Sequence, residues 1–516
     1  MWSVAKTRGL ATPSQGGNVA RENTLRRVAA HGNQYRIEIQ SDSTLNVRGT
    51  ARLVWRNETS QPTAEIPLRC SCRITGVASD GAPLPVKNLR VILPQPVPAG
   101  ATATIEVEFE ASSRGVYGYR LLAGAWYPNA IAYRGGAYNL NQQQVDEYQV
   151  IATAPASLTL ASAGELVETA QAPAGQQRRH CRLPHAANFG IAASPHFLET
   201  RRASDGVDIR LYQLRGDASL DPAMADYAAD AVAFYKRLLG FYPHPAVVLL
   251  PGTLRFGGGG SPASGFLQFF RNNGDGKRWI VAHEIAHQYW GFDTVIDDGD
   301  YCHWPGLALG IYTDQRYIAT RSEMRFGTRQ YREAVTQGLD TTIRKPLEQM
   351  RSLPFDWNEI VCHEKAYTVV RMLEDLVGAE RFLQIVQTLL ECYRYRYLSF
   401  DDFQAHVEAI SGRQLDWFFQ DWVDTNGVAG YSIEDVQPHD GSVEVRIRRT
   451  GSARFPVEVQ LTVEGGAQAR QRIAPEPEVQ TLIFPAASKP RRVEIDPISR
   501  CPLLKTGKEV WQSSSL

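Results

Sequence analysis

From about residue 33 the apolar positions fall on every second residue. Val47, Gly49, Ala51, Leu53 and Trp55 alternate with polar neighbours, and Ile105, Val107 and Phe109 alternate with Glu106, Glu108 and Glu110. That period belongs to antiparallel strands with one face in a core and the other in water. Turn clusters such as Asp80-Gly81 and Pro98-Ala99-Gly100 punctuate the runs. Strand signals continue through Tyr148-Gln149-Val150-Ile151 to about Tyr212. Residues 31–212 therefore read as an N-terminal β-sandwich-like domain, preceded by a flexible segment over 1–30.

The period then lengthens. Asp221-Pro222 is a helix-starting pair, and Met224, Tyr227, Ala231, Phe234 and Leu238 recur at helical spacing until Gly240. A buried strand follows at Val247-Val248-Leu249-Leu250, then a glycine run from Gly257 to Gly260 and a second strand at Phe266 to Phe270. From Trp279 to about Asn426 nearly everything is helical in period, which makes 213–427 a mostly α domain. After Gly427 the period returns to two, in Val443, Val445 and Ile447 and again in Val457, Val459, Leu461 and Val463. Residues 428–503 read as a small C-terminal β-sandwich domain and 504–516 as a tail. The fold class is α+β and multidomain.

Composition narrows the function classes. The chain has 516 residues, too many for one core, with 43% hydrophobic and 21% charged residues. Lys+Arg and Asp+Glu are both 55, so charge argues for no nucleic acid and no membrane as partner. No apolar run reaches the roughly 18 residues of a membrane helix, and Met1 to Ala30 lacks the apolar stretch of a secretory signal. The seven cysteines are scattered and odd in number, and Cys70-Ser71-Cys72 is too tight for a CxxC site. They read as reduced, structural thiols in a cytoplasmic protein.

The chemistry lies in His283-Glu284-Ile285-Ala286-His287. Positions i and i+4 of a helix share a face, so both imidazoles reach one ion, and two neutral imidazoles suit Zn2+. Glu284 between them is the expected general base toward a water activated by that ion. A carboxylate on an otherwise apolar helix is costly to bury without such a purpose.

Around this motif His287-Gln288-Tyr289-Trp290-Gly291 resembles the end of the metal-site helix in the gluzincin zinc aminopeptidases, the family of aminopeptidase N and the leukotriene epoxide hydrolase. Gly124-Ala125-Trp126-Tyr127-Pro128, Leu238-Leu239-Gly240-Phe241-Tyr242-Pro243, and Phe403 followed by Ser411-Gly412 and Trp417 to Trp422 are similar to segments found in the same order in that family. The resemblance implies a thermolysin-like, mostly α catalytic domain for a divergent member.

It also implies residues that this chain lacks. The family's third zinc ligand is a glutamate starting the next helix, and its position counts to Gly306 or Leu307. Asp293, six residues after His287, has the spacing of a third ligand in other zinc peptidases. Asp297, Asp298, Asp300 and His303 occupy the connecting loop, and Asp314 lies two turns beyond Leu307. The family's amine-gripping glutamate aligns near Pro262, leaving Gly258, Gly259 and Gly260 to offer backbone groups to an extended substrate. The family's oxyanion tyrosine aligns with His363, with Tyr367 as a second donor. Three readings follow: a zinc-dependent metallopeptidase-like hydrolase of peptide or small-molecule amide bonds, a catalytically silent aminopeptidase-fold scaffold, or a zinc site turned to a biosynthetic small-molecule reaction. Retention of the whole HExxH motif favours the first.

Overall fold

The computed structural model describes residues 32–168, 172–216, 220–252, 259–269, 277–291, 294–319, 328–503 and 507–513. The segment read as flexible, 1–30, lies outside them.

The period-two runs form an eight-stranded sheet in the N-terminal domain. Val47–Arg56 sits inside it, antiparallel to Gln34–Ser41 on one side and Thr102–Ala111 on the other. Its register opposes Ala51 to Val107 and Leu53 to Ile105. These four side chains are fully buried, whereas Glu106 and Glu108 face water. Leu53, Ile105 and Val107 each contribute roughly 1.5–3 kcal/mol by leaving water. Trp126 and Tyr127 close this core.

The strands Phe197–Ser204 and Val207–Leu214, assigned from the sequence to the N-terminal domain, pair instead into a five-stranded sheet with Ala246–Pro251, Phe266–Phe269 and Gly259–Ala263. Their alternation is the same whichever sheet they join, so local pattern does not mark the boundary. Three neighbouring pairs across this sheet run antiparallel, parallel and parallel, and the edge strand Gly259–Ala263 returns antiparallel.

Helix α1 (Ala223–Leu239) carries Ala225, Ala228 and Ala231 on its buried face and ends at Gly240 in the left-handed region, φ 88°. Those small side chains let it lie close to α2 (Lys277–Ala286), and the Tyr235 hydroxyl donates to the Ala282 carbonyl at 3.0 Å. Helix α3 (Gly306–Ala319) packs on the other side of α2. A π-helical stretch, Asn358–Lys365, runs directly into α4 (Ala366–Val377). One hydrophobic core continues from these helices into the C-terminal domain, whose two sheets have three and four strands.

Two sequence expectations are corrected. Val510–Gln512, placed in a tail, forms an edge strand against Pro490–Ile495. Cys70 and Cys72, read as reduced, are joined in a disulfide: the bend between Thr63–Arg69 and Arg73–Ser79 brings their Cα atoms to 5.1 Å, within disulfide range. The other five cysteines are free.

Candidate metal centre

Helix α2 places His283 and His287 one turn apart, with the His287 N–H donating to the His283 carbonyl at 3.1 Å. Their Nε2 atoms approach to 3.1 Å with the rings nearly perpendicular at 87°. Two ligands held 2.0–2.1 Å from one tetrahedral ion stand about 3.3 Å apart, so the pair matches zinc spacing. Burial lowers His283 to a pKa of about 3 and takes His287 well below its ordinary value; the charge of His363 adds to both. Both rings are therefore neutral bases, the form that ligates a metal.

Asp314, two turns beyond Leu307, lies behind the first histidine. Its Oδ2 lies 2.6 Å from His283 Nδ1, and Asp314 is fully buried. Gln315 Nε2 donates to its other oxygen at 2.6 Å. A proton on Nδ1 shared with this carboxylate turns the His283 Nε2 lone pair toward His287, the carboxylate–histidine support common behind metal-bound imidazoles. Asp314→Ala is expected to lower zinc affinity about 10–100-fold. An isothermal titration giving the wild-type Kd would remove Asp314 from the site.

One turn before Asp314 on the same face, α3 presents Gly310 to His287. A Cβ at Gly310 would run into the His287 ring, and His287 Nδ1 is buried without a hydrogen-bond partner among the described residues. Because α2 and α3 run antiparallel, the spacing of four between Gly310 and Asp314 mirrors that between His287 and His283. The α3 residue packed against His287 is thus Gly310. Gly306 instead packs on the buried carboxylate of Asp297.

Two loop candidates are engaged elsewhere. Asp298 accepts from the Tyr397 hydroxyl at 2.8 Å, and Asp300 accepts from Asn139 at 2.5 Å and Asn141 at 2.9 Å. Asp293 and Gly258 lie outside the described residues. Among the described residues, no three His, Cys, Asp or Glu side chains are grouped closely enough to hold an ion.

Glu284 is buried, and burial together with the charge of Asp314 raises its carboxyl to about 8. It rests on the edge strand: a Cβ at Gly259 would stand 2.6 Å from its Oε1. Gln288 ties this strand to α2, accepting from Gly265 N–H at 2.9 Å and donating to Ser261 Oγ at 2.9 Å. Gly259 and Gly260 therefore border the site on a sheet edge, and the strand's sequence Gly-Gly-Ser-Pro-Ala holds no carboxylate. Gly259→Ala is expected to push Glu284 aside and lower kcat/KM about 100-fold at unchanged zinc content. Equal kinetics in the two proteins would show that the carboxylate needs no such space.

His363, on the π-helical stretch, lies with its ring 6.4 Å from that of His283 and within 22° of parallel. Tyr367 is part of the α4 core, 1% exposed, with Arg371 Nη1 donating to its hydroxyl at 3.4 Å. Burial raises its pKa. The structure brings together His283, His287, Glu284, His363, Gly259 and Gly260, and sets Tyr367 into the packing.

No protein-family model matches the chain. It is 25% identical over 284 residues to Aminopeptidase M1 of Arabidopsis thaliana, covering 50% of this chain and 31% of that protein. It is 22% identical over 293 residues to the Tricorn protease-interacting factor F2 of Thermoplasma acidophilum, covering 51% and 36%. The chain thus spans about a third of the length of these curated relatives. Among solved structures it superposes on the M1 zinc metallopeptidase of Deinococcus radiodurans with a TM-score of 0.60 at 15% identity, over 77% of this chain and 94% of that one. Legionella pneumophila aminopeptidase A gives 0.69 at 16%, over 94% and 60%. The architecture is that of the M1 metallopeptidases, a β domain followed by an HExxH-bearing helical domain. The chain is a divergent relative of the gluzincin aminopeptidase family.

Proposed function

We propose that this chain is a zinc-dependent hydrolase of peptide or amide bonds. The observation that carries the reading is the pair of Nε2 atoms 3.1 Å apart with Glu284 on the residue after the first histidine. His283 and His287 would hold the ion, with Asp314 orienting the first of them. Zinc in such a site lowers the pKa of a water toward neutrality and polarises the scissile carbonyl. Glu284 takes the proton of the attacking water on its carboxylate and returns it to the leaving nitrogen. Gly259 and Gly260, on the sheet's edge strand among the described residues, would offer N–H and C=O groups to an extended substrate.

With no carboxylate on that strand to grip a free amine, N-blocked and free peptides are expected to be cleaved alike. The test is elemental analysis of wild type and His287→Ala, followed by a panel of amino-acyl amides and N-blocked peptides. Zinc near one equivalent that disappears in His287→Ala, with turnover of both substrate types, is the expected result. Absence of zinc from both proteins sinks the reading. It would leave the silent scaffold, which the Gly310 contact with His287 favours because α3 gives the ion no side chain there.

A further inference from the structure

A buried polar atom without a partner is costly and calls for an explanation, and two such groups lie together behind the second histidine of the motif. His287 is buried, and its Nδ1 has no hydrogen-bond partner among the described residues. Asp297 is only 2% exposed, and neither of its carboxylate oxygens has a partner among them either. We infer that Asp297 is a positioning residue for His287, joined to its Nδ1 through one ordered water. Each histidine of the motif then has a carboxylate behind it, Asp314 in direct contact and Asp297 at one remove. This rests on the hydrolase reading of the same site and adds what orients its second imidazole.

Placement carries the first part of the case. Helix α3 sets both groups along one groove: a Cβ at Gly310 would stand 2.4 Å from His287 Nδ1, and a Cβ at Gly306 would stand 2.2 Å from Asp297 Oδ2. Cβ positions four apart on a helix are about 5–6 Å from each other. One water with a hydrogen bond to each group spans up to about that distance. The opposite wall repeats the spacing. Gly291, four residues past His287, also borders the carboxylate, and a Cβ there would stand 3.2 Å from Oδ2. Glycine at 291, 306 and 310 keeps side chains out of the space between imidazole and carboxylate.

The chemistry of the two groups is complementary. With Nε2 given to an ion, a neutral imidazole carries its remaining proton on Nδ1, and that N–H needs an acceptor. A water accepts it and donates onward to the carboxylate. Burial holds the Asp297 carboxyl well above the ordinary range, and ionised or neutral it keeps an oxygen that accepts. Buried waters are held by two to four polar groups of this kind.

Asp297 also has a fixed base from which to orient a ring. Gln142, buried in the N-terminal domain, donates from Nε2 to the Asp297 carbonyl at 2.9 Å and accepts through Oε1 from the Gly299 N–H at 3.3 Å. The backbone on either side of the carboxylate is therefore held without any help from the metal site.

The full-length chain is titrated with zinc against a chromophoric chelator, and the thermal midpoint of the metal-free protein is measured beside it. Asp297→Ala is expected to bind zinc about 10–100-fold more weakly, the effect of losing an outer partner. Its metal-free midpoint is expected no lower than that of wild type, because no hydrogen bond to this carboxylate within the chain is lost. Asp297→Asn keeps an accepting oxygen in place and is expected to recover most of the affinity. His303→Ala, which removes another ring whose charge bears on His287, is expected to keep the wild-type value. In crystals of zinc-loaded wild type, which needs no variant to fold, one water is expected within hydrogen-bond distance of both His287 Nδ1 and the Asp297 carboxylate. Wild-type affinity in Asp297→Ala, an equal loss in His303→Ala, or Nδ1 bonded to any other group in those crystals overturns the assignment and leaves the hydrolase reading standing. Wild type that takes up no zinc overturns both.

Discussion

Glu284→Gln is expected to abolish hydrolysis while leaving zinc content at the wild-type level. The side chain reaches toward Gly259, not between the two Nε2 atoms, so its loss removes no ligand. Glutamine keeps the volume that fits against Gly259 and cannot take a proton. General-base assistance is worth about 10²–10⁴-fold, and kcat/KM should fall by that much with KM little changed. Burial raises the carboxyl to about 8 in the protein alone. A divalent cation beside it favours the charged form, so metal and base depend on one another. The measurement is paired: steady-state kinetics on the best substrate of the panel, and zinc by elemental analysis. Equal rates in Glu284→Gln and wild type would exclude Glu284 as the base. Lost zinc in Glu284→Gln would make it a ligand instead.

The pairing of His283 and His287 is legible in sequence because i and i+4 on one helix are local geometry. The partners of those histidines are not. Asp314 is 31 residues from His283, and which residue of α3 faces α2 depends on the course of the loop between them. That loop is held from outside the domain: Gln142 donates to the Asp297 carbonyl at 2.9 Å, and Asn139 and Asn141 hold Asp300. Counting forward from His287 does not by itself fix which residue of α3 packs on the second histidine. A signal was available nonetheless. Gly310 and Asp314 repeat the spacing of His287 and His283, as antiparallel helices require. The π geometry of Asn358–Lys365 has no such signature, since its apolar spacing reads as ordinary helix over so few residues.

Lys365→Met is expected to be the most destabilising single change at the base of the site. Lys365 is fully buried where the π-helical stretch meets α4. Its Nζ donates to both Asp340 oxygens at 3.2 Å and to the Thr341 carbonyl at 2.6 Å. Burial lowers its pKa, and the Asp340 charge opposes that shift. Methionine retains much of the volume but leaves Asp340, only 5% exposed, as an unpaired buried carboxylate. Breaking such a pair costs about 3–5 kcal/mol, against a smaller penalty when both partners become apolar. For a domain of this size that shifts the thermal midpoint by on the order of 10 °C. Lys365→Met combined with Asp340→Leu should recover most of the loss, because no charge is then stranded. The pair also holds the segment that carries His363. A midpoint within 2–3 °C of wild type, by calorimetry at neutral pH, would show that Lys365 and Asp340 contribute little to anchoring that segment.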